Sequence, residues 1–254
     1  MKTCVVNLSG NVGKSTLAVH LLAAFTPQAR IVSVESLNAS EVDQVDALDV
    51  EAFGASRFRE IFRELMRHDE VIVDVGASNV AVFMGEVARY RSALGEFDLV
   101  LVPTVPSDKQ QRDTIATIDW LHALGVEARK VRVVFNQYPI DSLEAVATVY
   151  PQIVGYGLTD GRGKAVFEPH AVIARSEVFE LAKHSRRTLR DLARDDTDWR
   201  AARGEARRAG DEQALERAMA GQMTHDLAVT AQDNLARVHA LLFAPPAART
   251  VRKA

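Results

Sequence analysis

Short runs of apolar residues alternate with longer segments in which apolar residues recur every three or four positions. The short runs, rich in Val and Ile, are residues 3–8, 30–34, 70–75, 98–102 and 130–135. Their continuous hydrophobicity predicts parallel strands buried on both faces, because a sheet with one face in water shows polar alternation. The longer segments, residues 15–25, 56–67, 80–94 and 108–124, have the spacing of helices that connect such strands. The pattern predicts a doubly wound α/β fold, with a mostly parallel sheet and helices on both faces.

The second half of the chain has a weaker pattern. We expect a short strand at residues 152–154, a Gly-rich loop at 155–169 and a helix at 175–193. Residues 194–210, rich in Arg, Asp and Ala, predict an exposed connection or a solvated helix. An amphipathic stripe then predicts a long C-terminal helix docked on the core or on a partner, followed by a frayed tail at residues 245–254. The stripe consists of Leu215, Met219, Met223, Leu227, Leu235, Val238 and Leu242.

Composition narrows the class of protein only slightly. The chain has 254 residues, a net charge of −3 and one cysteine, Cys4, so no internal disulfide is possible and a reducing compartment is expected. No apolar stretch approaches the ~18 to 20 residues of a membrane-spanning helix. We therefore expect a cytoplasmic protein without a transmembrane segment, and one that is not a bulk polycation.

The first apolar run leads through a glycine-containing loop directly into a predicted helix. The loop consists of Ser9, Gly10, Asn11, Val12, Gly13, Lys14, Ser15 and Thr16. Strand, Gly-Lys-Ser and helix in this order predict a P-loop, whose backbone N–H groups cradle phosphates. Lys14 is then expected at the β- and γ-phosphates, the Ser15 hydroxyl on Mg²⁺ and Thr16 at the α-phosphate. The alternative is an ordinary strand-to-helix turn with an exposed lysine.

The third apolar run ends in Asp74, followed by Val75 and Gly76. An acid at the carboxyl end of a buried strand has the form of a Walker B motif, in which Asp74 holds the Mg²⁺ shell and Gly76 permits close approach to the γ-phosphate. The alternative is a strand-terminal Asp that caps the next helix. The seven His residues show no metal-ligand spacing.

The loop resembles the deviant Walker A loop of the ParA/MinD ATPases, Lys-Gly-Gly-x-Gly-Lys-Thr-Thr. Its variant here is most similar to StbB-type plasmid stability proteins, which carry Ser-Gly-Asn-Val-Gly-Lys. Ser9 stands where the family has its signature lysine, which reaches across an ATP-bound dimer, and Asn11 replaces the second glycine. The resemblance covers about the first 190 residues and is sharpest at the loop.

The resemblance also assigns roles at two further strand ends. Glu35 matches the first acid of the family's Asp-x-Asp, whereas Leu37 replaces the second, which orients the attacking water. Slow hydrolysis, or hydrolysis with Glu35 in that role, is implied. Asn136 matches an adenine-reading Asn, and a carboxamide suits the N6 and N7 edge of adenine. An ordinary strand-end carboxylate and a turn-forming Asn are the respective alternatives.

The implied protein is an ATPase switch in plasmid stability, partition or DNA positioning. It would bind ATP, ADP and Mg²⁺, form a homodimer with ATP, and meet a plasmid-encoded DNA-binding partner. A basic run would hold non-specific DNA, unless it is a solvated mixed-charge helix. The run comprises Lys183, Arg186, Arg187, Arg190, Arg194, Arg200, Arg203, Arg207 and Arg208.

Two other functions remain open from the sequence. One is a non-hydrolysing adaptor, in which nucleotide only stabilises a partner-binding form. The other is an ATP-dependent ligase of the dethiobiotin synthetase type, which would need further lysines beside the loop. In each case residues 1–195 are expected to form the nucleotide-binding domain and residues 196–254 a C-terminal helical extension.

Overall fold

The computed structural model describes residues 1–35, 48, 50–90, 92–139 and 145–243. Its strands are β1 (Lys2–Val5), β2 (Arg30–Val34), β3 (Val50–Phe53), β4 (Val71–Val75), β5 (Leu99–Thr104), β6 (Val131–Tyr138) and β7 (Val166–Ala174). They form one sheet in the order β3-β2-β4-β1-β5-β6-β7, and every neighbouring pair is parallel. The first strand of the chain therefore lies between β4 and β5, where the strand order reverses.

Helices lie between these strands and after the last of them. They are α1 (Lys14–Thr16), α2 (Phe58–Arg67), α3 (Val80–Arg89), α4 (Ala93–Glu96), α5 (Asp108–Ala123), α6 (Val146–Val149), α7 (Pro151–Leu158), α8 (Val178–Ser185), α9 (Leu189–Ala193), α10 (Trp199–Ala209) and α11 (Glu212–Phe243). The short α1 continues directly into a π-helical segment, Leu17–Ala23. The helices predicted at residues 15–25, 56–67 and 108–124 are present, whereas the one predicted at 80–94 is divided into α3 and α4.

Strand side chains alternate between two hydrophobic cores, one on each face of the sheet. In β1, Cys4 lies in the core with Phe58 and Phe83, whereas Val5 lies in the opposite core with Leu17. This alternation follows from the two-residue repeat of a strand. Because both faces are covered, both sets of side chains are apolar, and the predicted doubly wound α/β fold is confirmed.

The pattern of apolar residues did not predict either edge strand. β3 is short and only its Phe53 is buried, while β7 begins with five residues that are exposed or half-buried and contains Pro169. An edge strand has a neighbour on one side only, so it needs less apolar sequence and tolerates proline. The continuous hydrophobicity used for the inner strands is therefore missing at both edges.

The strand expected at residues 152–154 is wrong, and the loop expected at 155–169 is shorter than predicted, because α7 ends at Leu158 and β7 begins at Val166. Residues 152–154 lie in α7, which begins at Pro151, and the Gln111 side chain accepts the N–H groups of Gln152 and Ile153. Proline suits the first helical position, and the long-range glutamine contact satisfies two N–H groups there. Gly157, read from the sequence as a loop residue, lies in α7 against the Phe167 ring.

The single helix expected at residues 175–193 is two helices. α8 ends where Arg186 adopts a left-handed φ of 54°, and Thr188 begins α9 with a capping box completed by Asp191. A threonine whose side chain takes the third N–H group of a helix is a strong start signal. The apolar periodicity continues across the junction between α8 and α9. The sequence pattern therefore did not reveal that the helix is interrupted there.

The C-terminal region is helical, as predicted. Residues 194–210 contain α10, one of the two structures expected there, and α11 is the long helix of the amphipathic stripe. The second half of the stripe, Leu235, Val238 and Leu242, is buried in the core that contains Leu17. The first half packs beside α10, and Met223 remains 61% exposed.

Leu37 and the tail at residues 245–254 lie outside the described residues, so the expectations for them stay predictions. Within the described part of the chain, no helix is long and apolar enough to cross a membrane.

Candidate functional site

The loop after β1 lies at the carboxyl edge of the sheet, at the point where strand order reverses. Open α/β sheets bind ligands in the crevice at such a switch point. Asn11 and Gly13 have left-handed φ values of 57° and 88°, which turn the chain into α1. Gly10, on the exposed side of the loop, lies near Ala77 after β4. The fold thus places the predicted phosphate loop where a nucleotide site is expected.

Asn7 anchors the base of the loop. Its Nδ2 donates to the Pro103 carbonyl and to the Thr114 hydroxyl, both at 2.8 Å, and its Oδ1 accepts the Ser9 N–H at 2.7 Å. The Leu8 N–H donates to the Thr117 hydroxyl at 3.1 Å. Hydrogen bonds of this kind, buried in the case of Asn7, hold the loop in one shape. The sequence pattern did not identify these anchoring residues.

Lys14 is folded back across its own loop. Its Nζ donates to the Ser9 carbonyl at 2.7 Å, and the side chain is buried. Burial lowers the pKa of Lys14, while the carboxylates of Asp74 and Glu35 oppose that change. The ammonium group therefore donates to a loop carbonyl within the electrostatic influence of two acids, and an anion would be a stronger acceptor than that carbonyl.

Ser15 and Asp74 meet directly. The Ser15 hydroxyl donates to Asp74 Oδ2 at 2.7 Å, and this contact follows from the pairing of β1 with β4, which sets Val5 opposite Asp74. A hydroxyl and a carboxylate at this spacing can share one hard cation. The donor set fits Mg²⁺, which usually takes one or two protein oxygens and completes its shell with water and phosphate.

Glu35 lies over Gly76. A Cβ atom at Gly76 would stand 2.6 Å from Glu35 Oε1, so only glycine admits the carboxylate here. The backbone supports this approach, because the Gly76 N–H donates to the Val34 carbonyl at 3.0 Å. The structure therefore brings Glu35 to the same strand edge as Asp74 and Lys14.

Asn136 lies beneath the phosphate loop. Its Nδ2 donates to the Val12 carbonyl at 2.9 Å and leaves no room for a side chain on Gly13. The backbone carbonyl of Asn136 accepts a hydrogen bond from the Tyr150 hydroxyl at 2.8 Å. This geometry gives Asn136 a bracing contact that sequence reasoning did not foresee, and the adenine contact stays a prediction.

Two clefts of about 390 Å³ each flank the loop, and both are in the size range of small-molecule sites. The first cleft is lined by Thr16, Asn136, Gln137, Ala174, Arg175, Ser176, Glu177, Phe179 and Glu180. The second cleft is lined by Asn11, Val105, Pro106, Ser107, Gln110, Gln137, Pro139 and Arg175. Together they leave open space on both sides of the phosphate loop.

The basic run is divided by the structure. Arg187 forms an ion pair with Asp195 at 2.9 Å, and Arg190 donates to the Ala24 carbonyl at 2.8 Å, so both hold helices in place. Other members are exposed to solvent, namely Arg186, Arg194, Arg200, Arg207 and Arg208. This exposed subset is available to an acidic partner.

Solved structures similar to this one include ParA/MinD-family ATPases. The MinD cell division protein in a MinC:MinD complex from Aquifex aeolicus is 12% identical, covering 93% of this chain and 94% of that chain, with a TM-score of 0.54. The septum site-determining protein MinD with Mg-ADP from Pyrococcus horikoshii is 13% identical, covering 92% and 93%, with a TM-score of 0.54. A ParA family ATPase from Chlorobium tepidum is 14% identical, covering 77% and 92%, with a TM-score of 0.50.

No protein-family profile matches the sequence, and no curated protein sequence does. The likeness therefore concerns the fold. The chain has the α/β fold of the MinD/ParA P-loop NTPases, and α11 is its C-terminal helix.

Proposed function

We propose that this protein is an ATP-binding and slowly ATP-hydrolysing switch of the ParA/MinD type. The observation that carries the proposal is the Ser15–Asp74 hydrogen bond beside buried Lys14, at the strand-order reversal. Phosphoryl transfer depends mostly on positioning and electrostatic stabilisation, and these three side chains supply both. The solved structures with the same fold include ATPases, which supports the same activity here.

In the proposed mechanism, ATP enters the loop and its phosphate oxygens replace the Ser9 carbonyl at Lys14. Ser15 and Asp74 would hold Mg²⁺, which supplies charge neutralisation at the β- and γ-phosphates. The loop N–H groups stabilise the remaining negative charge. We infer that Glu35, which lies beside Gly76, orients a water molecule, and a single acid in this role would make turnover slow.

We further propose a role in plasmid stability or partition, with ATP-dependent homodimerisation. The loop sequence, similar to that of StbB-type proteins, supports the plasmid assignment. The exposed arginines on α10 support non-specific contact with DNA phosphates or with an acidic partner. A plasmid-encoded DNA-binding protein is the proposed partner, and the cytoplasm is the proposed location.

The test measures oligomeric state by sedimentation velocity and phosphate release, each with and without Mg-ATP. We expect Mg-ATP to convert monomer to dimer and to be hydrolysed slowly. Glu35→Gln should retain Mg-ATP binding but release phosphate more slowly, whereas Glu216→Gln, an exposed change on α11, should match the wild type. Unchanged phosphate release by Glu35→Gln would remove Glu35 from the mechanism.

A non-hydrolysing adaptor is the second candidate, and the environment of Ser9 favours it. Ser9 is 3% exposed, and its side chain is uncharged. This loop position therefore brings no positive charge to a partner subunit. ATP-dependent assembly without any phosphate release would establish the adaptor and exclude the ATPase.

A further inference from the structure

Arg175 lies at the junction of β7 and α8, where the backbone is fixed and the side chain is exposed. Its N–H donates to the Tyr138 carbonyl at 2.8 Å, and the adjacent Ala174 is paired with Tyr138 across the sheet. The following Ser176 hydroxyl accepts the Val178 N–H at the start of α8. The backbone of Arg175 is therefore held by the sheet, while the residue as a whole is exposed.

Arg175 and Gln137 are the two residues that line both clefts beside the phosphate loop. Gln137 reaches the loop itself, since its Nε2 donates to the Asn11 carbonyl at 3.4 Å. The first cleft also contacts Thr16, and the second contacts Asn11. Arg175 thus lies between the two clefts. It shares one cleft with Thr16 and the other with Asn11, which are at different ends of the loop.

Within the described residues, the guanidinium of Arg175 has no ion-pair partner. Other arginines near the site are engaged: Arg187 pairs with Asp195, and Arg190 holds the Ala24 carbonyl. A guanidinium is suited to phosphate, because its fork of N–H groups binds two oxygens at once. An unpaired one beside a phosphate loop is a candidate phosphate ligand.

The charges around the loop also favour a phosphate-binding role for Arg175. Lys14 is the loop's only basic residue and it shares its surroundings with Asp74 and Glu35, while Ser9 contributes no charge. A triphosphate placed among these groups requires additional positive charge beyond one lysine. Besides a bound divalent cation, Arg175 can supply it from the junction of β7 and α8.

We propose that Arg175 is a phosphate-binding residue for the nucleotide held by the loop, giving the site a second protein cation. The inference rests on the proposed nucleotide binding. It assigns Arg175 to the polyphosphate and excludes a role limited to contacts with the nucleoside.

The test is calorimetric titration of Mg-ATP and of adenosine into the full-length protein. We expect Arg175→Ala to weaken Mg-ATP binding about tenfold or more, because a charge-assisted contact is lost. Arg175→Lys should recover part of the affinity, since lysine keeps the charge but not the fork. Affinity for adenosine should stay at the wild-type value in both variants.

Arg217→Ala removes an exposed arginine of α11 that lines neither cleft and serves as the matched control. Equal Mg-ATP affinity in Arg175→Ala and wild type would overturn the inference, as would an equal loss for adenosine and Mg-ATP. If the wild type binds no Mg-ATP, the proposed function itself fails. Thermal melting at the wild-type temperature shows that Arg175→Ala folds, as expected for an exposed side chain.

Discussion

At the phosphate loop, Gly13 meets two separate constraints. Its φ of 88° is costly for any residue with a Cβ atom, and the space for that atom is filled by the Asn136 carboxamide. We predict that Gly13→Ala abolishes measurable Mg-ATP binding and lowers the free energy of unfolding by about 2 kcal/mol or more. Titration of Mg-ATP and denaturant unfolding check the two effects.

Gly125 provides the control for backbone strain alone. It has the same φ of 88°, but among the described residues beyond its chain neighbours no atom lies within 4 Å of the point that a Cβ atom would occupy. Gly125→Ala should therefore cost only about 1 kcal/mol and leave Mg-ATP binding intact. Equal effects of the two substitutions would show that the Asn136 contact is irrelevant to the loop.

His20 links the helix of the phosphate loop to α9. Its Nδ1 accepts the Leu189 N–H at 3.3 Å, and burial lowers the pKa of His20 to about 4. The folded state therefore requires the neutral ring. Stability should be full above pH 6.5, the unfolded value, and decline as pH falls to 4, by roughly 3 kcal/mol in total.

Urea unfolding between about pH 7 and pH 4 measures this effect. His20→Gln cannot take up a proton and should show a shallower loss of stability over that range than the wild type. His122→Gln, at an exposed position of α5, should keep the wild-type slope. Identical slopes for His20→Gln and wild type would contradict the assignment.

Residue identities in the loop were predictable from the sequence, but their supports were not. Strand, Gly-Lys-Ser and helix follow one another along the chain, so local order reveals them. Asn7 depends on Thr114, 107 positions away, and Asn136 on Val12, 124 positions away. Such contacts exist only after the sheet has assembled, and a single sequence gives no sign of which polar groups will meet.

Among the elements, the inner strands and their helices were predictable because burial on both faces demands continuous apolar sequence. β3 and β7 were not, since edge strands lack that demand. The junction between α8 and α9 was hidden for a different reason. Its left-handed residue is Arg186 rather than glycine, the usual signal for a helix end.

The C-terminal half of α11 is buried in the core that contains Leu17. We propose that residues 196–254 are an extension of the nucleotide-binding unit, anchored by this half of the helix. Leu235→Ala should then lower the free energy of unfolding by about 2 to 5 kcal/mol, because a fully buried leucine leaves a cavity. Denaturant unfolding at neutral pH gives the value.

Met223→Ala is the matched change on the exposed surface of the same helix. With a side chain 61% exposed, it should change stability by less than about 0.5 kcal/mol. A loss of stability in Met223→Ala as large as in Leu235→Ala would mean that the C-terminal half of α11 is not its anchor.

For the whole molecule, the position of β1 has the largest consequence. β1 is the central strand and lies between β4 and β5. The predicted phosphate loop at its carboxyl end therefore lies where the strand order reverses. β4 then presents Asp74 and β6 presents Asn136 from neighbouring regions of the same edge. One sheet order thus assembles side chains from three distant parts of the sequence into a single candidate site.

Calorimetric titration of Mg-ATP into wild type, Lys14→Ala and Lys2→Ala tests the central claim most directly. Lys2 lies at the opposite end of β1, where it pairs with Glu96, and controls for the loss of a lysine. We predict saturable binding to wild type and Lys2→Ala, and a loss of about a hundredfold or more in Lys14→Ala. Equal affinity in Lys14→Ala and wild type, or no binding to the wild type, would contradict a phosphate site at this loop.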